Sequence, residues 1–219
     1  GLTIRGAFEM AKPPVMNTVC TALAAGLMLV FPSLALAAEE AEYRVLKQDG
    51  AFELREYAPS IVAETVVDAE FEEAGSRAFR KLFRYIDGYN VAQQEIAMTA
   101  PVSQAPAGQK IAMTAPVTQW PSEGGWVVSF MMPAAFSMDT IPRPSDPAVQ
   151  LRAIPAYRAA VIRYSGFWSE ERYQAQLQDL QTWIAGQGLE ADGDPVGARY
   201  DPPFKPWFMR RNEILIPVL

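Results

Sequence analysis

The sequence predicts an α+β protein: pseudo-two-fold, duplicated strand-helix-strand units forming a curved or barrel-like antiparallel sheet that carries two main helices. Three observations predict it. Runs with period-two polarity recur along the chain, and two amphipathic helix signatures each follow a strand signature. Moving the chain by 98 residues also lays Ile61–Gly88 on Ala159–Gly186 without a gap.

The strands come first. Tyr43 to Lys47 and Phe52 to Tyr57 alternate in polarity around Asp49-Gly50, a favoured hairpin dipeptide, and read as a pair. Pro59 interrupts, and Ile61 to Val67 forms a third strand, with Asp68 available as a cap. From Phe71, apolar or small residues fall at 71, 74, 75, 78, 79, 82, 83 and 86, the spacing of a helix face. Glu70, Glu72 and Glu73 open this helix and Arg80, Lys81 and Arg84 lie toward its end, both favourable to its dipole, while Gly88 can supply a left-handed stop. In the second unit, Ala159 to Tyr164 precedes a capping Ser169, Glu170 and Glu171, then a helix with Tyr173, Leu177, Leu180 and Ile184 on one face. Leu82 falls on Leu180 and Ile86 on Ile184, a match of pattern rather than identity.

A shorter repeat is an identity. Ile96-Ala-Met-Thr-Ala-Pro-Val102 recurs as Ile111 to Val117. The two copies suit extended segments joined by a loop, Met98 and Met113 pointing with Ile and Ala into the core. Trp126 to Met132 continues as a strand, Pro133 to Pro147 connects the halves, Arg199 to Trp207 is a proline-laden loop, and Glu213 to Val218 closes the chain as a strand.

Composition restricts the chemistry. The 219 residues contain no histidine and one cysteine, which excludes Ser-His-Asp and Cys-His catalysis and any histidine-containing zinc site. A formal net charge of −6 makes nucleic acid an improbable partner. Residues 1–37 read as a leader. From Met10, Lys12 gives a weak positive flank, Ala22 to Phe31 is apolar, Pro32 breaks the run, and Ala35-Leu36-Ala37 is a small-x-small cleavage signal. An uncleaved anchor over Val19 to Ala38 is the alternative. Cleavage would leave one domain, 38–219, periplasmic or secreted, with no stable membrane span and no thiol, because Cys20 lies in the leader. That domain is expected to be monomeric or weakly associating.

The repeated seven-mer, Glu53-Leu-Arg-Glu-Tyr57, Tyr85-Ile-Asp-Gly-Tyr-Asn90, Pro142-Arg-Pro144 and Tyr200-Asp-Pro-Pro-Phe-Lys-Pro206 with Arg211-Asn-Glu213 resemble the SOUL/heme-binding protein family, over Tyr43 to Pro217. The resemblance implies non-covalent binding of heme or a related tetrapyrrole, for sequestration or transport rather than catalysis. It places the pocket between the first helix and the loop at Asp201 to Pro206. The residues carried over are Arg77, Phe79, Arg80, Phe83 and Arg84 on the helix, with Phe204, Lys205 and Trp207 opposite. Heme is a flat apolar disc with two propionates, so it requires an apolar wall, a cationic rim and optionally an axial donor to iron. Some family members are thought to ligate iron through histidine, a route closed here, which leaves Tyr85, Tyr200, Met98, Met113 or Lys205, or no axial ligand at all. The alternative is a hydrolase or other enzyme using a pocket carboxylate, Glu95, Glu64 or Glu213, on a fold resembling small-molecule effector modules.

Overall fold

The computed structural model of the chain describes residues 38–93 and 108–219. The expected leader, the first copy of the seven-residue repeat with its Met98, and Glu95 lie outside the described residues. Nine strands build one antiparallel sheet: β1 (Tyr43–Asp49), β2 (Phe52–Tyr57), β3 (Ser60–Val67), β4 (Val117–Ser122), β5 (Gly125–Met131), β6 (Gln150–Ile154), β7 (Tyr157–Tyr164), β8 (Val196–Arg199) and β9 (Asn212–Val218). The helices are α1 (Phe71–Ile86) and α2 (Glu170–Gly186).

Strand order is β6-β3-β5-β4-β8-β9-β7-β2-β1. With β1 set aside, the order has exchange symmetry about the β4/β8 pair: β6 answers β2, β3 answers β7, and β5 answers β9. Both helices follow the strands from which they were expected to emerge. The barrel-like alternative fails, because β6 and β1 have one neighbour each and the sheet stays open. The β1–β2 hairpin turns through Gly50 at φ 59°, where a side chain would be strained.

One ladder row fixes which face is which. Ala63, Phe130, Val117, Arg199, Asn212 and Tyr164 are successive partners across the sheet, so their side chains share a face. Both helices cover that face. Ala74, Ala78, Leu82, Tyr85 and Ile86 of α1 pack on Ala63, Val67, Val128 and Phe130. Tyr173, Leu180, Trp183 and Ile184 of α2 pack on Ala160, Ile162, Ile214 and Ile216. Leu82 and Leu180, equivalent under the 98-residue shift, are both fully buried, a position where truncation to alanine costs about 2–5 kcal/mol. Phe71 bridges the two packings at the helix starts, stacked on Trp168 at 5.1 Å and edge-on to Trp126 at 5.3 Å.

Local details depart from expectation in three places. Glu70, not Asp68, occupies the N-cap of α1, with no side-chain cap; the Asp68 backbone carbonyl accepts from the Arg77 guanidinium at 3.1 Å. Met113 does not fill the core. It is 38% exposed while Ile111 is buried, because the segment turns at Thr114 to bridge Glu39–Glu40. Strands β4, β6 and β8 escaped the sequence reading: β6 is short between Pro147 and Pro155, β8 spans four residues including Gly197, and Pro121 lies inside β4.

Candidate ligand-binding site

Seven residues of α1 form its buried stripe, from Phe71 to Ile86. Phe79 and Phe83 sit on its shoulder, 38% and 44% exposed, their rings stacked at 5.7 Å. Phe79 also leans edge-on against Phe130 at 5.3 Å. Two phenyl rings left half in water on a helix that otherwise buries its apolar face make a contact surface.

The basic residues around this shelf are not equivalent. Arg77 is engaged, donating to Glu73 at 2.7 Å and to the Asp68 carbonyl. The Arg84 guanidinium lies 4.4 Å from the centre of the Tyr89 ring and has no carboxylate partner among the described residues. Arg80 is exposed, and neither it nor Lys81 has an ion-pair partner among the described residues. Arg80 and Arg84 are therefore the cations best able to receive an external carboxylate.

The proline-rich loop is braced by its own polar groups. Asp201 accepts from Lys205 Nζ at 2.5 Å and from the Arg211 backbone N–H at 2.6 Å, and Arg210 Nε donates to the Lys205 carbonyl at 2.7 Å. Burial raises the Asp201 pKa, but the Lys205 and Arg211 bonds outweigh it and hold the carboxyl below its usual range. With its backbone held this way, the loop thrusts side chains outward: Phe204 is 87% exposed and Phe208 60%. Trp207, half-exposed, stacks on Phe167 at 5.6 Å. Lys205, expected at the cationic rim, is occupied by Asp201.

The predicted residues thus fall into two groups, Phe79, Phe83, Arg77, Arg80 and Arg84 on α1, and Phe204, Lys205 and Trp207 on the loop. No contact joins them among the described residues. The Phe130–Val117–Arg199 row relates them: Phe130 supports Phe79, Arg199 is where the loop departs, and two strand spacings separate the pair, about 10 Å. Arg199 was missed as a site residue. Its guanidinium passes beneath α1 at Gly75, where a Cβ would meet Nη2 at 1.6 Å, and lies 5.0 Å from the Trp168 ring centre. No carboxylate pairs with it among the described residues, and burial pushes its pKa down to about 10.

The oxygen and sulfur donors divide similarly. The Tyr85 hydroxyl is buried and donates to the Pro142 carbonyl at 2.7 Å, and the Tyr200 hydroxyl donates to Glu213 at 2.9 Å. Both are committed within the protein. The exposed Met113 thioether is not. Among the described residues, no cluster of three or more acids, cysteines or histidines could hold a metal ion.

Of the carboxylates of the enzymatic alternative, Glu213 and Glu64 are also committed, and Glu95 lies outside the described residues. Glu213 is fully buried and accepts from Arg55 Nη1 and Nη2 at 2.8 and 3.0 Å, from Tyr200, and from Arg211 Nε at 2.9 Å. Burial alone would raise its pKa, but the guanidinium groups bring it below the ordinary value. A carboxylate so held is a poor base. Glu64 accepts both Nε and Nη2 of Arg152, at 3.0 and 2.8 Å.

Two adjoining cavities lie beside the sheet, the first on its helix-free face and the second at the sheet end, where Ile61, Met132 and Phe136 of the α1 core also line it. One of about 440 Å³ is lined by Val62, Trp120, Met131, Tyr157 and Leu215, among others; the second, of about 720 Å³, adjoins it at Tyr57, Met131 and Tyr157. Neither is lined by α1 or by residues 202–210.

Known proteins locate the chain among its relatives. It is 30% identical to heme-binding protein 1 of Mus musculus over 155 residues, 68% of this chain and 74% of that protein. Heme-binding protein 2 of Homo sapiens is 28% identical over 176 residues, 76% of this chain and 81% of that one. Among solved structures, the C-terminal domain of EcmrR aligns with a TM-score of 0.53 at 15% identity, covering 81% of this chain and 98% of that one. A hydrolase from Listeria innocua gives a TM-score of 0.51 at 12% identity, over 80% and 94%. Identities that low show a shared fold only. The sequence model of the SOUL heme-binding proteins matches residues 38–217, nearly all of the described domain, and the chain therefore belongs to that family.

Proposed function

We propose that the protein binds heme or a related tetrapyrrole non-covalently, for sequestration or transport, on the shelf between α1 and the 201–210 loop. Family membership supports the ligand class. The stacked, half-exposed Phe79–Phe83 pair carries the choice of place. It offers a flat apolar wall, Arg80 and Arg84 stand ready for propionates, and Phe204 and Trp207 can close over the other face of the disc. Without histidine, the apolar slot supplies most of the affinity, and the exposed Met113 thioether is a candidate axial donor. The domain is further proposed to act as a monomer after export and removal of residues 1–37; amino-terminal sequencing of the protein from its native compartment tests that.

Absorbance titration with hemin and with metal-free porphyrin tests the site. Both should bind saturably. Phe83→Ala should weaken each by about tenfold or more, since burying a phenyl contributes ~1.5–3 kcal/mol. The Arg80→Ala, Arg84→Ala double variant should weaken both. Lys205→Ala should act less, because Asp201 already holds that ammonium. An unchanged Soret band at micromolar hemin overturns the proposal. Binding of hemin without the metal-free ring, abolished by Met113→Ala, overturns the reading that the apolar slot supplies most of the affinity.

A further inference from the structure

The first cavity lies on the helix-free side of the sheet and adjoins the second at Tyr57, Met131 and Tyr157. The floor of the first is apolar and built from several strands, with Val62 of β3, Met131 of β5 and Leu215 of β9, and Met131 is shared with the second. Both have an aromatic wall in Tyr57 and Tyr157, stacked at 5.0 Å, and Trp120 also lines the first. Each volume lies within the range of small-molecule sites, which is about 300–1,000 Å³.

The rim is acidic. Asp192 and Asp194 border the first cavity, and Glu39, Glu40 and Glu42 the second. Glu40 is paired with Arg211, but Glu42, Asp192 and Asp194 have no ion-pair partner among the described residues. Among the described residues, Arg152 is the one basic side chain lining either cavity, and Glu64 neutralises it at 2.8 Å. Its guanidinium lies 5.4 Å from the Trp120 ring centre, so this wall already accommodates a cation against a π face. Acidic groups around a low-dielectric hollow draw cations in and repel carboxylates. The dianionic disc proposed for the α1 shelf is disfavoured here on charge.

We infer that the helix-free face is a second, separate binding site, selective for a flat lipophilic cation such as a quaternary aromatic amine. The ring lies among Tyr57, Tyr157 and Trp120, and the positive charge faces Asp192 and Asp194. This inference does not depend on the heme proposal, since the two sites share no residue.

Titration of the full chain with N-methylacridinium, and separately with acridine-9-carboxylate, followed by tryptophan fluorescence, tests it. The cation should bind saturably, at least about tenfold tighter than the carboxylate, a difference of ~1.4 kcal/mol. Trp120→Ala should weaken the cation about threefold or more, through lost aromatic contact. Asp192→Asn with Asp194→Asn, both exposed and so harmless to folding, should reduce the preference for cation over carboxylate severalfold. Phe83→Ala and saturating hemin should leave it unchanged. Equal binding of both acridines, insensitivity to the Asn pair, or competition by hemin would each overturn the second site. Loss of hemin binding alone would overturn only the first.

Discussion

Arg55 and Glu213 show what a residue pair contributes when it lies deep in a sheet. Both are fully buried on the helix-free side, bonded twice to each other, with Glu53, Tyr57, Tyr200 and Arg211 taking up remaining donors and acceptors. Satisfied this way, the pair is tolerated; broken, it leaves buried charge. Glu213→Gln is expected to lower unfolding stability by about 3–5 kcal/mol, measured by denaturant titration. The pH dependence follows from the sign of the shift. The Glu213 carboxyl is held below its ordinary value when folded, so the folded state binds fewer protons. Its stabilisation is complete above the unfolded value, about pH 4.3, and is lost as pH falls through the folded one. Melting curves in that window should fall more steeply for the parent protein than for Glu213→Gln; parallel curves would remove Glu213 as the titrating group. The Glu53-Leu-Arg-Glu-Tyr57 and Arg211-Asn-Glu213 motifs were visible in the sequence. Their meeting was not, because the partners are 158 residues apart and only the β2–β7–β9 ladder joins them.

Among the elements, α2 is the one whose boundaries the sequence foretold best. Ser169 accepts from the Arg172 backbone N–H at 3.4 Å, as its position before Glu170 and Glu171 implied. A second acceptor came from elsewhere: Glu72 of α1 accepts the Glu170 backbone N–H at 3.0 Å, which depresses the Glu72 pKa. The start of α1 therefore helps cap the start of α2, through two residues equivalent under the 98-residue shift. Because the Ser169 bond is long and Glu72 shares the duty, Ser169→Ala should cost only about 0.5–1 kcal/mol, at the low end for an N-cap. A loss above about 2 kcal/mol in thermal or denaturant unfolding would mean the serine alone holds the helix start. In α1, the periodicity located the apolar face but could not separate its buried stripe from its shoulder. Leu82 is fully buried while Phe83, one residue on, is 44% exposed. That distinction depends on where Phe130 and the sheet edge lie beneath the helix.

For the whole molecule, the junction between the halves is the sensitive place. Gly197 of β8 sits beside the β4/β8 centre of the strand order, and a Cβ there would meet Trp168 Cη2 at 2.5 Å and Tyr173 Cε2 at 3.1 Å. Both are rigid rings, and Trp168 is already stacked on Phe71. Gly197→Ala should therefore destabilise by about 1–3 kcal/mol through overpacking, and equal unfolding midpoints for the variant and parent would contradict the packing described. The amino-acid order by itself determined the α+β class, both helices with their buried faces, most of the strands, the family, and which side chains could form an apolar wall and a cationic rim. The class and the elements follow from local periodicity and residue chemistry, which are written along the chain, whereas the family and the candidate wall and rim came from the resemblance of its motifs. Tertiary structure alone decided that the sheet stays open, that Lys205 and Arg77 are paired with carboxylates while Arg80 and Arg84 have none among the described residues, that Arg199 lies under α1, and that an acidic, aromatic hollow occupies the face away from the helices. Each of these depends on which distant strands become neighbours, and long-range pairing leaves no periodic trace in a single sequence.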